Sequence, residues 1–570
     1  MSSNASVAGV LYEIGEILAV KGDTFRSRAY SMASQRITAL TEDIRDIRDR
    51  GELDKIPGVG KSIAGTIEEF LDTGESTVLR ELRESLPPGI PEIMQLEGLG
   101  PKLAIRLNQE LGVTSIDSLE KAAREHRIRV LRGFGEKKEE NILKAIEEYR
   151  SRSGRFLLGE VLPIIRGILA YMGSCGAVRR VEVAGSARRR KETVGDLDVL
   201  VSSVEPEKAS DCFIRMPNVA RVLAHGPTKS TVVLENRLQV DLRVIQPVSY
   251  GAALQYFTGS KEHNVKLRTI GVRAGFKLNE YGLFKREDDT LVEAEDEERI
   301  YEALGLDWMP PELRENTGEI EAAMEHKLPK LVDLDMIRGD LHAHTDWSEG
   351  TASIGEMAEK ARAMGLEYLA ICDHTKSLGI ARGLDEERLM EQLAEIRRLD
   401  DEMPGITILA GTECDILREG KLDISDEVLR ELDWVVASIH SGFKQDEETM
   451  TSRVVEAIHN DYVSTIGHPT GRLVEKRSAY SIDLERVLDT AEEQRVCMEI
   501  NCFPDRLDLS DVNSRRAKEK GVKLSLGTDA HTLSGMEFLG LGVSVARRGW
   551  LGPSDVVNTL PAEKVIRLRG

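Results

Sequence analysis

The chain has 570 residues, 41% of them apolar, a formal net charge of -21 and six cysteines without a C-x-x-C pair. No run approaches the roughly 18 apolar residues of a membrane-spanning helix and residues 1–11 lack a basic start, which argues against a membrane span or signal peptide; scattered thiols argue against a disulfide framework or zinc ribbon, so a cytoplasmic protein is expected. Residues 330–570 carry 30 basic and 45 acidic side chains, against 22 and 26 in residues 1–150 and 25 and 27 in residues 151–329, so a global field that attracts polyanions is excluded and any such contact must use local patches.

Length predicts about three or four domains. Residues 1–85 read as a small helical domain: Val10, Ile14, Ile17 and Leu18 recur at helical spacing, and the basic residues Lys21, Arg26 and Arg28 follow. In LDKIPGVGKSIAGTIEEFL one helix ends at Ile56 and another begins after Gly60. Pro57, Gly58 and Gly60 make a hairpin whose free N–H groups can face a phosphate, with Lys61 next. Similar strings recur in residues 86–150, as LEGLGPKLAIRL with Gly98, Gly100 and Lys102, and as LRGFGEKKEENIL with Gly133 and Gly135. Three such hairpins predict a helix-hairpin-helix module that grips DNA phosphates without reading sequence.

Residues 181–201, VEVAGSARRRKETVGDLDVLV, read as a strand, a glycine turn, a basic segment and a second strand. Asp196 and Asp198, two apart, share one face of that strand while Leu197 and Val199 take the other. A later strand, RLQVDLRVI, alternates apolar residues with a polar face carrying Asp241. Three carboxylates on neighbouring strands can hold a pair of Mg2+ ions that activate a 3'-hydroxyl and neutralise a leaving pyrophosphate. Gly185 and Ser186 make a turn where backbone N–H groups can approach phosphates, and Arg188, Arg189 and Arg190 follow.

The order G-S-x-R-R, D-x-D and a later strand aspartate resembles the nucleotidyltransferase superfamily, and its surroundings resemble the family X DNA polymerases. The resemblance implies a palm over residues 151–245 and a thumb over residues 246–314, with a charged linker at 315–335. It implies that Asp196, Asp198 and Asp241 are catalytic and that Gly185, Ser186 and Arg189 hold the triphosphate. The turn Tyr256-Phe257-Thr258-Gly259 would seat the incoming sugar, and Asn264 and Arg268 would meet the new base pair and template. Lys261 stands where a relative has an acid. Lys21, Phe25 and Arg26 match the family's pocket for the 5'-phosphate of a gap; Thr66 stands where the family carries its lyase lysine, with Lys61 nearby. The acidic run Glu287 to Glu298 reads as solvated, with Trp308 to Pro311 closing the thumb.

From residue 336 to 570, short apolar strands alternate with helices, and chemistry stands at the strand ends: His342 and His344, His374, Glu413, His440, His468, then Asp529 and His531. Six of the 11 histidines fall there, whereas His126 and His459 read as packed or surface residues. Another strand carries Glu499 and Asn501 with no evident place in that set. About seven strands predict a barrel or near-barrel whose loops converge on one face. Mixed histidine and carboxylate ligands suit Zn2+, Mn2+ or iron and activation of water against a phosphoester. The pattern resembles the polymerase and histidinol phosphatase (PHP) domain, a trinuclear phosphoesterase of (β/α)7 type, with Glu349 where that family commonly has Asp.

A multidomain α/β and α+β chain of this kind resembles the bacterial and archaeal PolX family. The resemblance implies gap filling in DNA repair and a metal-dependent 3'-5' exonuclease, with 3'-end cleaning or abasic-site incision. The implied partners are gapped or primed DNA with a 5'-phosphate and dNTPs; Mg2+ would serve the polymerase site and Mn2+ or Zn2+ the PHP cluster, in a monomer. The alternatives are a phosphoesterase whose polymerase-like part only binds DNA, and a DNA-end scaffold with both sites idle.

Overall fold

A computed structural model describes residues 3–21, 23–38, 44–73, 76–84, 86, 90–94, 96, 99–131, 134–152 and 155–569. The chain divides into two compact units, Met1–Gly154 and Arg155–Gly570. Among the described residues no helix is long and apolar enough to cross a membrane.

The first unit is helical. Ile14, Ile17 and Leu18 of the helix Ser3–Val20 are buried in one core with Ile37, Ile67 and Leu107, as their spacing predicts. The three hairpins close with the same backbone bond: Val59 N–H to Ile56 O, Leu99 N–H to Leu96 O and Phe134 N–H to Leu131 O, at 2.9, 3.1 and 3.0 Å. In the first two, the residue between the glycine positions is buried, Val59 and Leu99, while Gly60, Lys61, Gly100 and Lys102 are exposed; in the third, Phe134 is partly buried against the same core. Gly58 and Gly135 both have φ of +92°, a conformation that disfavours any side chain. Gly98 and Gly133 lie outside the described residues. Lys21, Arg26 and Phe25 are exposed, and Arg26 accompanies Asp23 at 3.8 Å. Thr66 is buried, with its hydroxyl 3.3 Å from Tyr30 Oη and bonded to Ser62 O.

In the second unit, a five-stranded sheet runs Arg180–Val183, Asp196–Ser202, Gln239–Ile245, Lys229–Leu234, Val219–Ala224. Only the central pair, Asp196–Ser202 with Gln239–Ile245, is parallel, and the helices Leu158–Gly173 and Pro206–Ile214 bury residues in the core with Leu197, Val199 and Val240. The helices Tyr250–Thr258 and Lys261–Arg273, a three-stranded sheet and Glu297–Ala303 follow. Their apolar core takes in Ile320 and Ala323 of a further helix, Glu319–Met324, inside the segment read as linker.

Seven parallel strands in sequence order make the C-terminal barrel: Gly339–Ala343, Tyr368–Ile371, Thr407–Asp415, Trp434–Ser438, Thr465–Ile466, Cys497–Asn501, Leu524–Gly527. His344 N–H to Ala530 O at 2.9 Å and Asp529 N–H to His342 O at 2.8 Å join the first strand to the end of the last, so the barrel is nearly closed. Sheet and barrel share one apolar core. At Gly159 a Cβ would stand 2.8 Å from Pro504 Cβ and 3.1 Å from Leu541, so the absence of a side chain sets how closely they approach.

Candidate active sites

Parallel pairing sets Asp198 opposite Asp241 and Asp196 opposite Gln239. Asp196 is exposed, Asp198 half-buried and Asp241 buried. Burial, then the charges of Asp196 and Asp241, raise the Asp198 carboxyl to about 6. Two groups tie Asp241: Lys229 Nζ at 3.2 Å from Oδ2, and Gln239 Nε2, donating to Oδ1 at 3.3 Å. A Cβ on Gly185, whose φ is +59°, would meet Asp198 Oδ2 at 2.5 Å, so the glycine turn is needed for the carboxylate to stand where it does.

Asp196 and Asp198 open into a cleft of about 600 Å³ lined also by Ser186, Arg189, Tyr256, Phe257, Gly259, Asn264 and Arg268, with Asp241 behind Asp198 on the neighbouring strand. The expected nucleotide-site residues therefore converge, although residues 185–198 and 256–268 are distant in the chain. Arg155, Lys191 and Lys261 add cations that the motif reading did not assign. The run R-R-R-K was the only signal for Lys191. Arg188 turns away: it bonds Glu297 at 2.8 and 2.9 Å. Tyr256 and Phe257 meet edge to face at 5.2 Å, and Arg243 lies over Phe257 at 5.1 Å. The Asn264 amide donates to Tyr256 O at 2.7 Å and accepts from Gln255 at 2.8 Å.

Glu297 corrects the reading of residues 287–298 as a solvated stretch. It is buried between Arg188 and Arg314, with Trp308 Nε1 donating to it at 3.2 Å. Burial alone would raise its carboxyl, but the two guanidiniums hold it far below the usual carboxylate range. This cluster clamps the start of the sheet domain to the thumb.

At the C-terminal ends of the barrel strands, Glu413 is the hub. His374 Nδ1 lies 2.9 Å from its Oε2, His342 Nε2 at 3.4 Å and His344 Nε2 at 3.6 Å; His468 Nε2 and His440 Nε2 lie 2.9 and 3.3 Å from Oε1. Glu349 Oε1 joins His531 at 2.9 Å and His374 at 3.3 Å, and Asp529 Oδ1 stands 3.1 Å from His344 Nε2. All nine expected ligands are thus gathered. Three subsets have donor atoms close enough to share an ion: His344, His374 and His531; His342, His344, Glu413 and Asp529; His374, Glu413 and His440.

The buried atoms His344 Nδ1, His374 Nδ1, His440 Nε2 and Glu413 Oε2 make no hydrogen bond, despite their ionic neighbours. Unsatisfied imidazole nitrogens around a buried carboxylate fit a divalent metal. Burial, with His531 and His374 adjacent, lowers His344 to about 3, whereas the neighbouring carboxylates outweigh burial at His342, His374, His440 and His531 and raise them, the electrostatic pull that would also draw a cation into the cluster. Two acids outside the expected set support the ligands: Glu499 Oε1 takes His342 Nδ1 at 2.6 Å and Asp415 Oδ1 takes His440 Nδ1 at 3.0 Å. Asp415 lies two residues after Glu413, on the same strand face, a spacing that could have flagged it. Arg506 Nε stands 3.2 Å from Asp529 Oδ2. His126, held by Glu139 at 2.9 Å, and His459 stand outside the cluster, as expected.

A cleft lined by two carboxylates of an α/β sheet, with a third beside them, and a His-carboxylate cluster at one end of a parallel barrel give the chain two candidate sites for phosphoryl transfer. The DNA polymerase beta thumb family matches residues 253–315, a helix-hairpin-helix domain residues 2–76, a SAM-like helix-hairpin-helix tandem residues 90–148, and the PHP domain residues 340–502. The DNA polymerase/3'-5' exonuclease PolX of Bacillus subtilis is 37% identical over 552 residues, 96% of each chain. A probable phosphatase of Thermoanaerobacter sp. is 32% identical over 231 residues, 39% of this chain and 89% of its own; one of Acetivibrio thermocellus is 32% identical over 202 residues, 34% and 78%. The chain belongs to the PolX family of DNA polymerase/3'-5' exonucleases.

Proposed function

We propose that this protein is a DNA-directed DNA polymerase that fills short gaps in DNA repair and carries a 3'-5' exonuclease in its barrel. The observation that carries the polymerase reading is the pairing of Asp198 with Asp241, with Asp196 and Asp198 in a cleft rimmed by Arg155, Arg189, Lys191 and Lys261. Asp196 and Asp198 would hold both Mg2+ ions and Asp241 one of them, where the metal, when bound, activates the 3'-hydroxyl and balances the pyrophosphate charge. Asp241 assists removal of the hydroxyl proton. Gly185, Ser186 and Arg189 hold the triphosphate, Tyr256, Phe257 and Gly259 seat the sugar, and Asn264 and Arg268 face the nascent pair. Lys229 must leave Asp241 for that carboxylate to serve.

The nine-residue cluster takes Mn2+ or Zn2+, which supplies activated water for attack on a phosphodiester, and it is also suited to 3'-phosphate removal or abasic-site incision. Glu499 and Asp415 fix the orientation of their histidines. In the N-terminal unit the glycine hairpins with Lys61 and Lys102 grip the DNA backbone, and Lys21 and Arg26 take the 5'-phosphate. The domains run 1–85, 86–150, 151–245, 246–314 and 336–570; of the segment 315–335 that joins the last two, the helix Glu319–Met324 packs with the thumb, in a cytoplasmic monomer.

The test is primer extension on DNA with a one-nucleotide gap and a 5'-phosphate, in Mg2+ or Mn2+, with and without dNTPs. Gap filling with dNTPs and shortening without them is the expected result. Shortening under every condition would leave only a phosphoesterase.

A further inference from the structure

We propose that Arg548, on the last turn of the barrel helix Leu539–Arg548, is a positioning residue for the polymerase site, setting Arg189 to receive the incoming triphosphate. The inference rests on the reading of Arg189 given above. Arg548 Nη1 donates to the backbone carbonyl of Arg189 at 2.8 Å and to Glu315 Oε1 at 3.1 Å. That same Glu315 oxygen accepts from Arg189 Nε at 3.0 Å. One guanidinium of the barrel therefore holds both the main chain of Arg189 and the carboxylate that orients its side chain.

Arg548 is itself fixed. Its Nε and Nη2 lie 2.8 and 2.7 Å from Asp511 Oδ2, at the start of the barrel helix Asp511–Glu519, and its side chain is only 7% exposed. A planar guanidinium bound through all three of its nitrogens has little rotamer freedom, so it transmits the docked position of the barrel to its acceptors. On the cleft side, Arg189 Nη1 donates to Thr258 O at 2.5 Å and stands 3.1 Å from where a Gly259 Cβ would be, which places the guanidinium beside the sugar-seating turn. Arg548 bonds Arg189, Glu312, Glu315 and Asp511, none of them a ligand of the histidine cluster. Nucleotide insertion thus draws on the barrel through a contact that the nuclease does not use.

The test uses the full chain and its R548A, E315Q, R189A and R189A/R548A variants. It measures kcat and KM for dNTP in one-nucleotide gap filling, 3'-5' exonuclease rate and thermal midpoint on the same preparations. R548A and E315Q should each raise KM for dNTP about tenfold with kcat little changed and exonuclease unchanged. R189A/R548A should be no worse than R189A. An unaltered KM in R548A and E315Q, with R189A impaired, would overturn the inference alone. So would an equal fall of both activities with the thermal midpoint, the mark of a merely structural contact. If R548A does not fold, E315Q decides by the same readings. A normal KM in R189A would remove the triphosphate role of Arg189 and this inference with it.

Discussion

Asp198 and Asp241 stand directly across from each other on adjacent parallel strands, so two negative charges face one another with a third, Asp196, on the same sheet face. Lys229, 3.2 Å from Asp241, offsets part of this repulsion, and a divalent cation held by all three carboxylates would offset the rest. Replacing Asp241 by Ala should lower gap-filling kcat about 1,000-fold, equivalent to about 4 kcal/mol of transition-state stabilisation. The exonuclease should be retained. Equal loss of both activities would mean that the two sites are not separate.

The same crowding makes a pH prediction. Asp198 titrates at about 6 without metal because burial and two neighbouring carboxylates disfavour its charge. Below about pH 6 it is protonated, and a cation must displace that proton to bind. Apparent Mg2+ affinity should fall about tenfold for each unit of pH below 6 and level off above it. Titration of Mg2+ binding by calorimetry at pH 5, 6, 7 and 8 checks this; a pH-independent affinity would contradict the raised pKa.

His440 and Glu413 lie within 3.3 Å, and Asp415 supports the far side of the imidazole. His440→Ala should abolish exonuclease activity and leave nucleotide addition. Asp415→Asn should weaken metal binding by about 10- to 100-fold, the usual effect of losing an acid behind a histidine ligand. Metal content after dialysis, read by atomic absorption, distinguishes the two from general unfolding. Full metal retention in Asp415→Asn would show that this acid does not orient His440.

Glu297 neutralises Arg314, which is fully buried, and Arg188, which is partly buried. Glu297→Ala would leave two guanidiniums without their carboxylate, and about 3–5 kcal/mol of stability should be lost. Urea unfolding followed by circular dichroism measures it. A change below about 1 kcal/mol would mean that water or Thr258 replaces the carboxylate.

Much of both sites was legible because their residues are placed by local rules. Asp196 and Asp198 share a strand face through a period of two, and six of the seven strand ends carried the barrel ligands in chain order, where parallel topology alone brings them to one rim. The three hairpins were visible because glycine spacing dictates the turn. What sequence could not assign were groups whose role depends on a partner far along the chain. Glu297 looked solvated in its acidic run, but its cations Arg188 and Arg314 lie 109 and 17 residues away. Glu499 had no evident use until folding set it against His342, 157 residues distant. The close approach of Gly159 to Pro504, and the reach of Arg548 to Arg189 across 359 residues, were decided only in three dimensions. Periodicity and motif spacing specify what each element presents; which elements then meet is decided by packing between them, and packing carries no local signature.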